Sequence, residues 1–432
     1  MKFKKLTKSV LCIAMVFMMT ACGGAGGTSQ STDNAEDGQI NLRMAWWGSQ
    51  ARHDATVEVI RLYESQNPHI KIDPEFYTFD GYFTNLNTLV AANDVWDIFQ
   101  MGGNFPVYLD SIYPINEFIE SGIIDVSDTT EAFLSTTRSD GVQLGLSNGV
   151  NTYGIAYDPA MFEAAGIPEP PVNWTWDDYR DISLQITERL GVFGSSKLED
   201  FNAGASMGIS QEGFDLNFFA ETNDRLGFDD PSMLVKYFQI RKELVDAKAY
   251  PDPGRIAEIR DIEGDFLVTG EAAMTWVASN QFPILSEAAG RELRLTTVPR
   301  KTSDGPSGSI VQSSQMMSIS QNSDHKEEAA KFINFFANSE EANAILNGER
   351  GVPIMQNIRD LIEANASPDK KVVFDFVSLV GTFPVGIVNV LSPPQTPQIE
   401  DYYDLLIQQV VFGEKTPEEA AQEIFDFAAS RF

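Results

Sequence analysis

The chain has 432 residues, 43% of them hydrophobic and 22% charged, an ordinary balance for a globular protein with full cores. At roughly 150 residues per domain, that length predicts two or three domains. Sixty-two acids against 31 bases give a net charge of −31, which excludes nucleic acid, whose phosphates need a basic footprint, and suits a soluble protein kept apart from its neighbours by repulsion.

Lys2, Lys4, Lys5 and Lys8 form a positive opening, and Val10 to Met19 an apolar run too short to span a bilayer. Met19-Thr20-Ala21-Cys22 follows. This resembles the bacterial lipoprotein signal, in which a small residue permits cleavage before a cysteine that receives lipid; Met19 stands where leucine is commoner. The resemblance implies removal of residues 1–21, lipidation of Cys22 and a place at the cell membrane, anchored on its extracytoplasmic face. Cys12 would leave with the signal, so no disulfide could form and packing alone must stabilise the fold. One acyl chain holds a membrane only marginally, so the cysteine must carry several. Residues 22–38, rich in Gly, Ser and Asp without apolar period, read as a flexible tether.

Ile40, Leu42 and Met44 alternate with polar residues and predict a strand over Gln39 to Ala45. Val57, Ile60, Leu62 and Tyr63 predict a helix from Asp54, as N-cap, to Gln66. A strand opening at Ile70, a helix over Tyr82–Asn93 and a strand over Trp96–Met101 complete the signature of a parallel sheet. Val142 to Ala156 is strand-like and punctuated by Gly145, Gly149 and Gly154. Helices are expected up to Gly166 and from Thr175 or Asn173 to Glu188, and long ones over Pro231–Ala247 and Pro253–Phe266. Gly191 to Gly213 is poorly periodic. Strands follow at Gly270–Trp276 and Arg294–Val298, then an exposed loop over Lys301–Gly308. An amphipathic helix spans Ser323–Asn338, and Thr416-Pro417-Glu418-Glu419 is a capping box that starts the last helix. No transmembrane pattern follows residue 22.

No Gly-x-Ser-x-Gly elbow, phosphate loop or dinucleotide fingerprint occurs, and three scattered histidines with no CxxC pair offer no transition-metal site. No cofactor is expected. The acids single out no glycosidase pair. A surface-anchored carbohydrate-active enzyme is therefore the alternative rather than the main reading. A binding protein for peptides, inorganic ions or another non-sugar solute is the second alternative.

Several segments in order resemble the extracellular solute-binding proteins of carbohydrate ABC importers, the maltose-binding-protein-like family 1. They are Ile40 to Gly48, Asp97-Ile98-Phe99, Tyr157-Asp158 through Ala165-Gly166, Pro170-Pro171 with Trp174-Thr175-Trp176-Asp177, Gly270 to Met274 and Glu328 to Phe336. Asp158 stands for the family's Asn and Glu271 for its Lys. Trp46-Trp47-Gly48 with Arg52-His53, followed by Phe79-Asp80-Gly81-Tyr82, also resembles a narrower group that imports oligogalacturonides and related oligosaccharides. The resemblance implies an α/β, two-lobed periplasmic-binding-protein-like (type II) fold with a hinge crossed about three times. Lobe one maps to 39–148 plus 300–345 and lobe two to 149–299 plus 346–432. It implies a monomeric carrier, not an enzyme, that closes on a sugar or oligosaccharide and delivers it to the permease's transmembrane subunits.

A pyranose offers apolar C–H faces and a rim of hydroxyls, so its site needs aromatic planes and planar polar side chains. Trp46 and Trp47 are adjacent on a strand and point to opposite faces, so at most one stacks on ligand, and Trp47 is nearer the strand end. Ser49, Arg52 and His53 stand beside it. Arg52 raises the prospect of an acidic sugar, since arginine pairs bidentately with carboxylate, and equally suits a solvated helix start. Gln100 and Asn104 flank the turn after the third strand. Asn148, Asn151 and Tyr153 lie in the crossing segment, and Trp276 and Asn280 at the exit of the Met274 strand. Replacing Trp47 by Ala is expected to abolish binding with little loss of fold.

Overall fold

The computed structural model describes residues 39–103, 105–139, 141–209, 218–220, 224–383 and 393–432. Cys22 with its signal, the tether to residue 38 and Asn104 lie outside the described residues. No described helix is long and apolar enough to cross a membrane.

The first strands alternate with helices. β1 (Ile40–Trp47), α1 (Gln50–Gln66), β2 (Ile70–Tyr77), α2 (Phe79–Ala92) and β3 (Ile98–Met101) wind so that β1 lies parallel between β2 and β3. β4 (Ile112–Tyr113) and a small hairpin, β5 (Arg138–Ser139) with β6 (Val142–Gln143), follow. The long strand β7 (Leu146–Tyr157) then serves two sheets. Its first half pairs with β10 (Val311–Ser320), which also borders β3. Its second half pairs with β8 (Met274–Ala278) and β9 (Arg294–Thr297). The chain therefore passes between the two sheets along β7 and again from β9 to β10. A third pass runs beside β7, where Val150 and Val352 exchange backbone hydrogen bonds of 2.8 and 3.1 Å. This is a two-lobed α/β fold whose halves are joined by three strands of chain. Gly149 shows how tightly they lie: a Cβ there would stand 2.7 Å from the Arg350 carbonyl oxygen.

Side-chain alternation sorts three cores. Met44 and Trp46 point to one face of the first sheet, against Val59 and Ile60 of α1 and Phe332, Ile333 and Phe336 of helix Lys326–Asn338. Ala45 and Trp47 point to the other face, into an aromatic core with Tyr82, Trp96, Phe99 and Phe105. In the second sheet Ile155, Tyr157, Met274 and Trp276 meet Trp176, Tyr237 and Tyr403.

Several local expectations need correction. α1 begins four residues before Asp54, because Ser49 is the cap: it holds an extended backbone and its Oγ accepts from the Arg52 N–H (3.3 Å). α2 likewise starts at Phe79 behind Thr78. The long helix expected over Pro253–Phe266 is two short ones, Pro253–Ile256 and Phe266–Thr269, since Asp261 and Gly264 form a turn and Asp265 caps a new start. Within Gly191–Gly213 a helix forms over Asp200–Ile209. The expected caps of the helices Trp176–Leu190 and Pro417–Ala429 are present as capping boxes at Thr175 and Thr416.

Candidate ligand-binding site

The register defines a gap. β3 ends at Met101, opposite Met316, which lies opposite Ser147 on β7. The second sheet begins where Tyr153 meets Ala278. About six residues of β7 separate the two edges, roughly 20 Å at 3.3 Å per residue. The carboxyl ends of β1 and β3 stand on one side, where open α/β sheets take ligands.

On the first side Trp47 is 9% exposed. Its ring lies 5.0–5.6 Å from those of Phe79, Tyr82 and Phe83. Phe79, 57% exposed, is edge-on to it. Phe79 and Phe83 are the aromatic residues that sequence reasoning left out of the site; their spacing on α2, four apart, carried the signal. Trp47 is packed so deeply that its loss would cost the fold, contrary to expectation. Trp46 is wholly buried and donates from Nε1 to Nδ1 of His53 (3.1 Å), while Phe76 stacks on the imidazole at 4.4 Å. Burial, then the cations Arg52 and Arg350, lower the pKa of His53, so it stays neutral as an acceptor.

Arg52 lies across Gly48, where a Cβ would come within 2.3 Å of its Cδ. It is paired with Glu349 (2.7 Å) and donates to the Trp47 carbonyl (3.3 Å). That carbonyl also accepts from Nε2 of Gln100 (3.2 Å), whose Oε1 accepts from Nε of Arg350 (3.3 Å). Both atoms of the Gln100 amide are thus used inside the protein, and Arg52 meets a carboxylate of the chain itself. Ser49 is exposed at the start of α1.

Along the crossing, Nδ2 of Asn148, Oδ1 of Asn151 and Oε1 of Gln315 have no hydrogen-bond partner. Beyond it, the rings of Tyr153 and Trp276 lie tilted at 33° with centroids 5.5 Å apart, and Nε1 of the buried Trp276 is unpartnered. Asn280 is exposed just past β8. Ser279, beside it, accepts from the Thr152 N–H (3.1 Å) and ties the two strands together. Burial, then the carboxylates of Glu199 and Glu400, raise the pKa of the Tyr153 hydroxyl. Asp404 is pushed up to about 7 by desolvation and by the acids Asp200, Glu199, Glu400 and Asp401. Sequence reasoning missed this acidic ground, because its members come from two segments 200 residues apart. Among the described residues no three His, Cys, Asp or Glu gather as metal ligands.

The model of bacterial extracellular solute-binding proteins matches residues 48–343. The chain belongs to that family. A curated relative, the arabinooligosaccharide-binding protein of Halalkalibacterium halodurans, is 26% identical over 63% of this chain and 62% of its own length. Among solved structures, a family 1 extracellular solute-binding protein from Alicyclobacillus acidocaldarius superimposes with a TM-score of 0.80 at 24% identity, over 91% of this chain and 98% of that one. A periplasmic oligogalacturonide-binding protein from Yersinia enterocolitica gives 0.77 at 23% identity over the same shares. At these identities the structural likeness speaks for the fold, and the family match for a solute-binding protein that works outside the cytoplasm.

Proposed function

We propose that this solute-binding protein captures a neutral oligosaccharide between its two lobes and delivers it to the transmembrane subunits of an ABC permease. The observation that carries the reading is the gap along β7: aromatic rings stand at both edges, and unpartnered amide atoms of Asn151 and Gln315 lie between them. Rings suit the faces of sugars and free amides suit their hydroxyls. The relatives named above bind arabinooligosaccharides and oligogalacturonides. Neutrality follows from charge. Arg52, the cation nearest Trp47, is already engaged by Glu349, Arg350 is buried away from the gap, and the Tyr153 side is acidic, so a uronate reaching that side would meet repulsion.

In this reading Trp47 is the floor of the first wall, Phe79 and Phe83 its open faces, and Ser49 a rim contact. Asn151, Tyr153 and Asn280 reach the sugar from the crossing and the second wall, with Trp276 backing Tyr153. Asn104 is retained from its place after β3. Lobe one comprises 39–148 plus 300–345 and lobe two 149–299 plus 346–432. Ligand touching both favours the closed form. The carrier is monomeric and anchored through lipid on Cys22. It holds its sugar without reacting with it.

Titration calorimetry against neutral arabino-, gluco- and galacto-oligosaccharides and against oligogalacturonides tests the proposal. Stoichiometric binding of a neutral oligomer, with a fall in scattering radius and no products, is expected. Preference for oligogalacturonides overturns the charge argument; turnover, or binding of no sugar in the panel, overturns the carrier reading.

A further inference from the structure

Behind the crossing strands lies a small cavity lined by Asn148, Phe336, Leu346, Glu349 and Arg350. Two of these residues bring N–H groups without partners, Nη1 of Arg350 and Nδ2 of Asn148. Arg350 is 5% exposed. Its other bonds go to neutral groups: Nε donates to Oε1 of Gln100 (3.3 Å) and Nη2 to Oγ1 of Thr56 (2.8 Å), and the guanidinium lies 5.3 Å from the Phe336 ring centre. The carboxylate of Glu349 is taken by Arg52 at 2.7 Å. Arg52, Glu349 and Arg350 together therefore carry one uncompensated positive charge. Burial, then the nearness of Arg52, pulls the pKa of Arg350 down to about 9, the mark of a cation short of a counter-charge. A buried ion without a counter-charge is strongly destabilising.

We propose that this cavity is a binding site for a monovalent halide, chloride, held by Nη1 of Arg350 and Nδ2 of Asn148. The space admits a guest about the size of one or two waters, which excludes sulfate, phosphate and sugar. Both free groups are donors, and chloride only accepts. A water would satisfy them but leave the charge unmatched. Asn148 belongs to β7 and Arg350 to the third pass, and Oγ of Ser314 on β10 lies within hydrogen-bonding reach of the carbonyls of both Gly149 and Arg350, with one proton to share between them. The anion thus sits where all three passes meet and pins them together. This is independent of what the cleft binds.

Crystals of the mature chain soaked in sodium bromide, with diffraction recorded across the bromine absorption edge, test the site. An anomalous peak within hydrogen-bonding reach of both nitrogens is expected. In solution, sodium chloride should raise the melting temperature by about 2–4 °C over sodium gluconate at equal ionic strength. That gain should vanish in Arg350→Met and shrink in Asn148→Ala, which keeps the bonds of Arg350 to Gln100 and Thr56. A cavity holding water alone, or a halide gain undiminished in Asn148→Ala, overturns the proposal.

Discussion

At the Trp47 wall most polar groups are engaged inside the protein, Nε1 of Trp96 being left without a partner. The Trp47 carbonyl holds Arg52 and Gln100, the Gln100 amide is used at both ends, and His53 is matched to Trp46. The Tyr153 wall differs in charge: Nε1 of Trp276 is buried without a partner, and carboxylates crowd around Asp404. The first wall is an apolar, aromatic platform with one exposed ring, Phe79. The second sets its rings, Tyr153 and Trp276, beside an acidic cluster. The two walls differ more in charge than in aromatic character.

That contrast can be broken by substitution. Trp47→Ala should lower unfolding free energy by about 3–5 kcal/mol in urea titrations, because it hollows an aromatic core; a loss under 1 kcal/mol would mean the platform is not packed as described. Phe79→Ala, on an exposed ring, should leave stability within about 0.5 kcal/mol yet weaken oligosaccharide binding about tenfold by calorimetry. Unchanged affinity would move stacking away from this wall.

Two pH experiments sharpen the difference. Asp404 keeps its proton up to about pH 7 in the fold but releases it near the ordinary 3.8 when unfolded. The fold therefore binds the extra proton between those values, and stability falls as pH rises through them. Asp404→Asn should raise the melting temperature at pH 8 and leave it unchanged at pH 3. The gain should be small, since Asp404 is exposed and water screens the repulsion. His53 runs the other way. Its lowered pKa means that the unfolded chain takes up protons first, so its contribution is present above about 6.5 and fades as pH falls below that. His53→Gln, which still offers Trp46 an acceptor, should flatten melting temperature between pH 7 and 5; an unaltered slope would show that His53 does not titrate on unfolding.

Local chemistry was legible where one short motif decides the outcome. Thr416 announces its helix because cap and partner lie three residues apart, and of Thr175 and Asn173 it is Thr175 that caps the other, with the same box. The alternation of Met44 to Trp47 correctly sent the two indoles to opposite faces. β10 drew no assignment in the sequence, since its serine-rich run of Val311–Ser320 has no clear apolar alternation, yet Oγ of Ser313 meets Oγ of Ser147 (2.8 Å) across the crossing. The partners of Arg52 and Arg350 were likewise hidden, since Glu349 is 297 residues from Arg52 and Gln100 is 250 from Arg350. The aromatic half of the site rests on neighbours in sequence; the polar half is assembled by the fold.

β7 also governs when the molecule can form. Oγ1 of Thr152 donates to the carbonyl of Ile310, 158 residues further on, and the β10 pairing starts one residue later. The central strand therefore has no partner on that edge until three-quarters of the chain has been synthesised. Such distant pairings make folding slow. Until then the open edge of β7 is the part of the fold most exposed to wrong pairing.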